Sequence, residues 1–321
     1  MIERLLQLLL ALTALTAIAA NAQDYPSRPV KIIVPYAAGG VPDVLARTVG
    51  QRLSDSLSQQ FVVENRGGGA GISAMVTVAK AAPDGYTLVM ADAAQTAINT
   101  HLFTNLPYDT LKDFIPVSIA ATSVIFLASS PSLPIASFTD LVAHARANPG
   151  KLSYGSAGIG SVHHIAMEYV KAELKLDIVH VPYKGSGQSV PAFVAGDVPL
   201  VLSSLPALAQ HVKSGKARLL AVNSAARSAR APEVPSVSEF IPGYELSVET
   251  GLLAPSGTPI AIIARLAAEV TRAMKHPDSI ARLTPLGFDP VGSTPEAFSS
   301  MIRKNLERFE RVVRVSGAKA N

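Results

Sequence analysis

Three stretches of this sequence set an aromatic ring beside glycine and other small residues in a similar order. They are Tyr36-Ala37-Ala38-Gly39-Gly40, Tyr154-Gly155-Ser156-Ala157-Gly158-Ile159-Gly160-Ser161 and Tyr183-Lys184-Gly185-Ser186-Gly187-Gln188. Glycine lets a backbone approach a ligand closely, and a helix that starts just beyond offers free N–H groups at the positive end of its dipole. The chemistry this suits is recognition of a small anion without bond making. Asp43 lies just past the first junction, where a carboxylate stabilises both the turn and the helix start.

Competing chemistries fit less well. Ser156 with His163 or His164 would serve an exported hydrolase or isomerase, but Tyr154 stands where a nucleophile elbow needs its first glycine. Gly69-Ala70-Gly71-Ile72-Ser73-Ala74 matches the dinucleotide fingerprint in form. It does not follow the first strand, and no acid is evident at the spacing that a ribose contact needs. Adjacent histidines cannot put both rings on one helical face, so His163 and His164 are not a metal pair. No paired carboxylates suggest glycosidase work. The expectation is a binding protein with no catalytic residue, no cofactor and no metal.

The elements that hold these stretches alternate. Val30–Val34 is a short strand, and a helix from about Pro42 carries Leu45, Val49, Leu53 and Leu57 on one face. Residues 61–64 form a strand, residues 66–71 a Gly-rich turn into a helix ending near Lys80, and Tyr86–Met90 another strand. Ser137 caps a helix that ends at Asn148-Pro149-Gly150. Strands at 152–154 and 178–181 lead into the second and third junctions, and further strands lie at 198–202 and 219–222. Ile263, Leu266, Val270 and Met274 mark the inner face of a helix that Pro259 opens and His276-Pro277 stops. This alternation implies a mainly parallel α/β architecture with helices on both faces. Two long β-type runs, 117–127 and 246–253, read as crossings between two β/α blocks.

Composition removes other classes. The 321 residues are 48% hydrophobic and 16% charged, which argues for folded cores, and with no Cys there is no disulfide, thiolate metal site or lipoprotein anchor. The net charge is +4, yet the basic residues are scattered. Their one cluster, Arg303 to Arg314, is interleaved with Glu307 and Glu310 as on a solvated helix face, so no nucleic-acid partner is expected. At the N-terminus an apolar run, Leu5 to Ala20, ends in Ala20-Asn21-Ala22 before Gln23-Asp24. This reads as a secretory signal peptide, residues 1–22, cleaved after Ala22. The run is broken by Gln7 and threonines, so the expectation is a periplasmic protein without membrane insertion.

Tyr-Pro-Ser-Arg-Pro-Val-Lys-Ile-Ile-Val-Pro-Tyr-Ala-Ala-Gly-Gly-Val-Pro-Asp (25–43) resembles the mature start of the Bug-type substrate-binding proteins of tripartite tricarboxylate transporters. The resemblance continues through Val-Val-Glu-Asn-Arg-Gly-Gly-Gly-Ala-Gly (62–71), Ala-Ala-Pro-Asp-Gly-Tyr-Thr-Leu (81–88) and Leu-Pro-Tyr-Asp (106–109). It extends to Pro-Gly-Lys-Leu-Ser-Tyr-Gly-Ser-Ala-Gly (149–158), Val-His-Val-Pro-Tyr-Lys-Gly-Ser (179–186), Gly-Leu-Leu-Ala-Pro-Ser-Gly-Thr-Pro (251–259) and Pro-Val-Gly-Ser-Thr-Pro-Glu (290–296). It implies a two-lobed, type II periplasmic binding fold, with 23–122 plus 250–321 as one lobe and 123–249 as the other. It also implies a small carboxylate ligand delivered to membrane permease subunits, or sensed by a signalling partner.

The matching ligand positions are Tyr36, Ala37, Ala38, Gly39, Gly40 and Asp43 on one wall, with Gln95 or Thr96 added from the loop after Met90. Gly155, Ser156, Ala157, Gly158, Ser161, Tyr183, Lys184 and Gly185 form the other wall. Three departures stand out. Pro42 replaces a hydroxyl residue, removing a side-chain and a backbone donor. Ser203 and Ser204 stand where the family often has Asp-Asn, which disfavours an amino-acid ligand, and Ser203 is counted with the pocket. Glu249 or Thr250 replaces a common Trp.

Overall fold

The structure, a computed structural model, describes residues 25–320. The signal peptide assigned to residues 1–22 lies outside them. Two sheets carry the chain. The first has strand order β11-β4-β10-β3-β1-β2, from β1 (Val30–Val34), β2 (Phe61–Asn65), β3 (Thr87–Ala91), β4 (Phe114–Ser123), β10 (Val248–Pro255) and β11 (Phe288–Pro290). The second is β7-β6-β8-β5-β9, from β5 (Ile125–Ser129), β6 (Leu152–Ser156), β7 (Ile178–Pro182), β8 (Leu200–Ser204) and β9 (Arg218–Val222). Only Val124 separates β4 from β5, so one extended run leaves the first sheet and enters the second. The return passes through Leu246 into β10. This is the two-lobed fold of type II periplasmic binding proteins.

The sheets are mixed, not mainly parallel. β1 runs parallel to β2 and β3, and β6 runs parallel to β7 and β8. β10 is antiparallel to both β3 and β4, and β5 is antiparallel to both β8 and β9. The crossing runs cause this. Alternating β and α elements give parallel neighbours only where a helix carries the chain back, whereas a strand that arrives directly from the other lobe enters from the opposite end.

Helices cover both faces of each sheet, which is why neighbouring residues such as Ile32 and Ile33 are both fully buried. Helix α1 (Val41–Leu57) buries Leu45, Val49 and Leu53 against Ile32 and Leu88. Helix α2 (Ile72–Ala79) covers the opposite face. In the second lobe α3 (Phe138–Ala147), capped by Ser137 through the Asp140 N–H, and α4 (Val162–Leu174) enclose one face. Helices α5 (Ser186–Ala195) and α6 (Leu205–Lys213) lie on the other. Helices α7 (Ile260–Lys275) and α8 (Pro277–Leu283) return to the first sheet.

The last helix, α9 (Pro295–Ser316), serves both lobes. Phe298 and Ile302 near its start pack with Ile33, Val89 and Leu253, while Phe309, Val312 and Val313 near its end join the core around Ile165 and Tyr169. Between these halves Arg308 and Asn305 meet the buried Glu249 of β10, at 3.7 Å and 3.1 Å. A single rigid element therefore spans the two cores beside the crossings.

Candidate ligand-binding site

The carboxyl ends of β1, β2 and β3 face those of β6 and β7 across a cleft of about 440 Å³. One wall comes from Pro35 and Tyr36 after β1, Gly68 to Ile72 between β2 and α2, and Gln95 and Phe103 after β3. The other comes from Ala157, Gly158, Ile159 and Ser161 after β6, and from Pro182, Tyr183 and Lys184 after β7. Ala320, near the C-terminus, also borders it, and among the described residues Lys184 is the one charged side chain in the lining. Ligands of open α/β sheets bind at such strand ends.

The lobes touch at one rim of this cleft. The Ala37 N–H donates to the Lys184 carbonyl at 3.0 Å. A Cβ on Gly67 would lie 2.6 Å from the Ala37 nitrogen and 3.1 Å from the Lys184 oxygen, so only glycine fits where these loops converge. Gly187, in the first turn of α5, lies against the Ala38 carbonyl just as closely. Glycine here permits contact between lobes as well as the turns themselves.

On the first lobe a buried polar chain fixes the Tyr36 ring. Its hydroxyl donates to Asp92 Oδ1 at 3.1 Å and accepts from Gln95 Nε2 at 3.1 Å. The Tyr108 hydroxyl donates to the Gln95 carbonyl at 2.7 Å, and Asn99 Nδ2 donates both to the Tyr108 hydroxyl and to the Ala70 carbonyl, each at 3.0 Å. Gln95 stands in a π-helical turn, Ala94–Ile98, a form often found at functional sites. Burial pushes the Asp92 carboxyl up to about 6, against the pull of the Ala94 N–H and the Tyr36 hydroxyl, and Glu249 adds to the rise. Asp92 also borders a small closed space shared with His163 and Ser186 of the other lobe.

On the second lobe the hydroxyls hold the loop. Ser156 Oγ lies 2.6 Å from His180 Nε2 and accepts the Gly158 N–H at 3.0 Å. The His180 ring stacks on His164 at 4.1 Å and on Tyr154 at 4.9 Å. Ser161 caps α4, accepting the His164 N–H, and donates to the Gly158 carbonyl at 2.7 Å. Burial lowers His163 and His164 to about 4 and His180 to about 3, so the three imidazoles are neutral at pH 7.

The expected site residues divide accordingly. Tyr36, Gln95, Ala157, Gly158, Ser161, Tyr183 and Lys184 line the cleft, and Ala37, Ala38, Gly39, Gly40 and Gly185 form or flank the rim where the lobes meet. Five others lie off it. The Asp43 carboxylate is occupied by the Gly39 N–H, Asn65 and Arg47, at 2.9, 2.9 and 3.0 Å. The Thr96 hydroxyl turns back to the Asp92 carbonyl. Gly155 is covered by Tyr183 and Val198, Ser156 is fully buried against His180, and Ser203 is fully buried in β8 beside Phe126 of β5. A strand's last inward-pointing residues face the core, which is why the Ser156 and Ser203 side chains miss the cleft.

Sequence reasoning missed Gly68 to Ile72, Asp92, Phe103 and Ile159. The first was legible as a fourth strand–helix junction rich in glycine. Phe103 carries no local signal, because tertiary contacts alone bring it to the cleft, and Asp92 stands behind Tyr36 and not in the lining.

The profile of the tripartite tricarboxylate transporter family receptors (TctC) matches residues 45–317. The chain belongs to this family. BugT of Bordetella pertussis is 35% identical over 301 residues, covering 93% of this chain and 92% of BugT. A Rhodopseudomonas palustris protein solved with adipate superposes with a TM-score of 0.88 at 34% identity, covering 92% of this chain and 99% of that one. MatC of the same organism, solved with bound malate, gives 0.85 at 31%, covering 90% and 100%. The chain is therefore a solute receptor of a transport family, not an enzyme. Ser156 and His180 form a structural pair beneath the cleft. Among the described residues no helix is long and apolar enough to cross a membrane.

Proposed function

We propose that this receptor is exported to the periplasm, cleaved after Ala22, binds a small carboxylate between its lobes and hands it to a tripartite permease. The observation that carries the reading is the interlobe cleft. Glycine-rich strand ends from two lobes surround it, and among the described residues its lining holds one cation, Lys184, and no acidic side chain. Such a space favours an anion with an organic body, and relatives solved with adipate and malate point the same way. Closure would proceed about the two crossings, the ligand being enclosed as the Tyr36–Gly40 and Tyr183–Gly187 loops meet.

The test is a melting-temperature screen against mono-, di- and tricarboxylates and aromatic acids, followed by calorimetry. One acid should raise the melting temperature by several degrees and bind with a micromolar or lower Kd. If every acid in the panel leaves the melting curve in place, the carboxylate reading is wrong. Capture of the permease subunits by the loaded receptor tests delivery. N-terminal sequencing of the secreted chain, expected to begin at Gln23, tests export.

A further inference from the structure

The turn between β2 and α2, one wall of the cleft, has a left-handed backbone. Gly68, Gly69, Ala70 and Gly71 follow one another with φ of +102°, +54°, +54° and +74°. Glycine enters this region freely, but for alanine it is sterically disfavoured. Such strain persists only where the surroundings over-determine it. Inside the turn the Gly71 N–H bonds the Gly68 carbonyl, and the Ile72 N–H bonds the Gly69 carbonyl. Neither bond takes hold of Ala70.

Ala70 is held from outside the turn. Asn99, fully buried at the start of the short helical turn Asn99–Leu102, donates Nδ2 to the Ala70 carbonyl at 3.0 Å. The same amide nitrogen donates to the Tyr108 hydroxyl at 3.0 Å, and that hydroxyl donates to the Gln95 carbonyl at 2.7 Å. One side chain therefore ties the glycine-rich turn to the π-helical turn that carries Gln95. Its Oδ1 has no partner and lies against the second lobe. A Cβ on Gly160 would fall 3.0 Å from that oxygen and 3.4 Å from the Ala70 Cβ, so the loop after β6 rests on Asn99 and Ala70 together.

We infer that Asn99 is a positioning residue of the cleft. Without reaching the ligand, it pins the left-handed turn that forms one wall and supports the seat on which the Gly160 loop closes. The effect on binding rests on the carboxylate-receptor reading, whereas the pin itself belongs to the free protein.

Asn99→Leu tests it, since leucine keeps the branched shape and removes both donated bonds. Hydrogen exchange on the unliganded mature protein reads the pin. The Gly71 and Ile72 amides should exchange at least tenfold faster than in the wild type, with the amides of β1 and β3 unchanged. Calorimetry with adipate, malate, citrate and benzoate reads the consequence. The acid of these four that binds the wild type most tightly should bind the variant at least tenfold more weakly. Wild-type exchange at Gly71 and Ile72, or wild-type affinity for that acid, overturns the proposal. An even rise in exchange over the whole first lobe does so too, because Asn99 would then serve stability alone. If none of the four acids binds the wild type, the receptor reading fails, and the exchange result still decides whether Asn99 pins the turn. Asn99→Ser, one bond shorter in reach, takes the place of Asn99→Leu if melting curves show that the leucine variant does not fold.

Discussion

Replacing Gly187 by alanine isolates lobe contact from lobe stability. In this structure the new Cβ would overlap the Ala38 carbonyl oxygen across the rim, at a separation that real Cβ atoms do not adopt. The neighbour is backbone, held by the Ala37 N–H bond to Lys184, so it cannot rotate away as a side chain would. Overpacking of this kind costs about 1–3 kcal/mol. The cost falls only where the lobes touch. With the lobes apart, Gly187 is an exposed first-turn residue of α5, and alanine there is neutral or favourable by at most about 1 kcal/mol. Affinity for the acid that gives the largest thermal shift should fall about 5- to 150-fold. The melting temperature without ligand should hold or rise. Calorimetry reads the first quantity, and small-angle scattering reads whether ligand still contracts the molecule. Wild-type affinity with wild-type contraction would refute the reasoning, because the bound form would then not use this contact. A fall in unliganded stability matching the loss of affinity would also refute it, since the overlap would then belong to the resting fold.

Other outcomes follow from the buried groups. Ser156→Ala removes a partner from the buried His180 ring and from the Gly158 N–H, so denaturant unfolding should show a loss of about 1–3 kcal/mol. Carboxylate affinity should stay within twofold; a tenfold loss would place the hydroxyl on the ligand. Asp92 is held at about 6, above its ordinary 3.8, so the native state keeps a proton that the unfolded state releases, and stability falls as pH rises between those values. Asp92→Asn should therefore stabilise the protein by up to about 3 kcal/mol at pH 7 and little at pH 4, and equal effects at both would show that the carboxyl titrates normally. The lowered histidines act in the opposite sense. The unfolded chain takes up protons below pH 6.5 that His163, His164 and His180 refuse until about 4 or 3, so their contribution is lost on acidification. Three such groups outweigh one Asp92, and the wild-type melting temperature should drop between pH 6.5 and 4; a flat profile would mean the imidazoles accept protons in the fold.

How far the sequence could be read depended on the range of the interaction. Leu45, Val49 and Leu53 announce α1 because helical periodicity is local, and Ile263, Leu266, Val270 and Met274 do the same for α7. The crossings were visible as long β runs, but their direction was not, since strand neighbours are chosen by the whole sheet. The same gap hid the partner of Ser156. His163 and His164 are nearer in sequence, yet the pairing of β6 with β7 sets Tyr154 opposite His180 and brings that ring under Ser156. The double role of α9 was likewise out of reach, because an amphipathic pattern says that a face is covered and not by which lobe.

The glycine-rich loops hold the clearest lesson about recognition. Composition suggested that their backbone amides would face an anion, and net charge suggested nothing more local. In the fold Ala37 N–H bonds the opposite lobe, and Gly39, Gly158 and Lys184 N–H groups bond Asp43, Ser156 and Gln188. Glycine at 67 and 187 is required chiefly so that one lobe can lie on the other. Charge recognition in the cleft then draws on Lys184 and on the glycine-rich start of α2, Gly69 to Ile72. Backbone at the rim thereby governs how readily the lobes meet, separately from the groups that line the cleft. A substitution at Gly187 should accordingly weaken all acids alike.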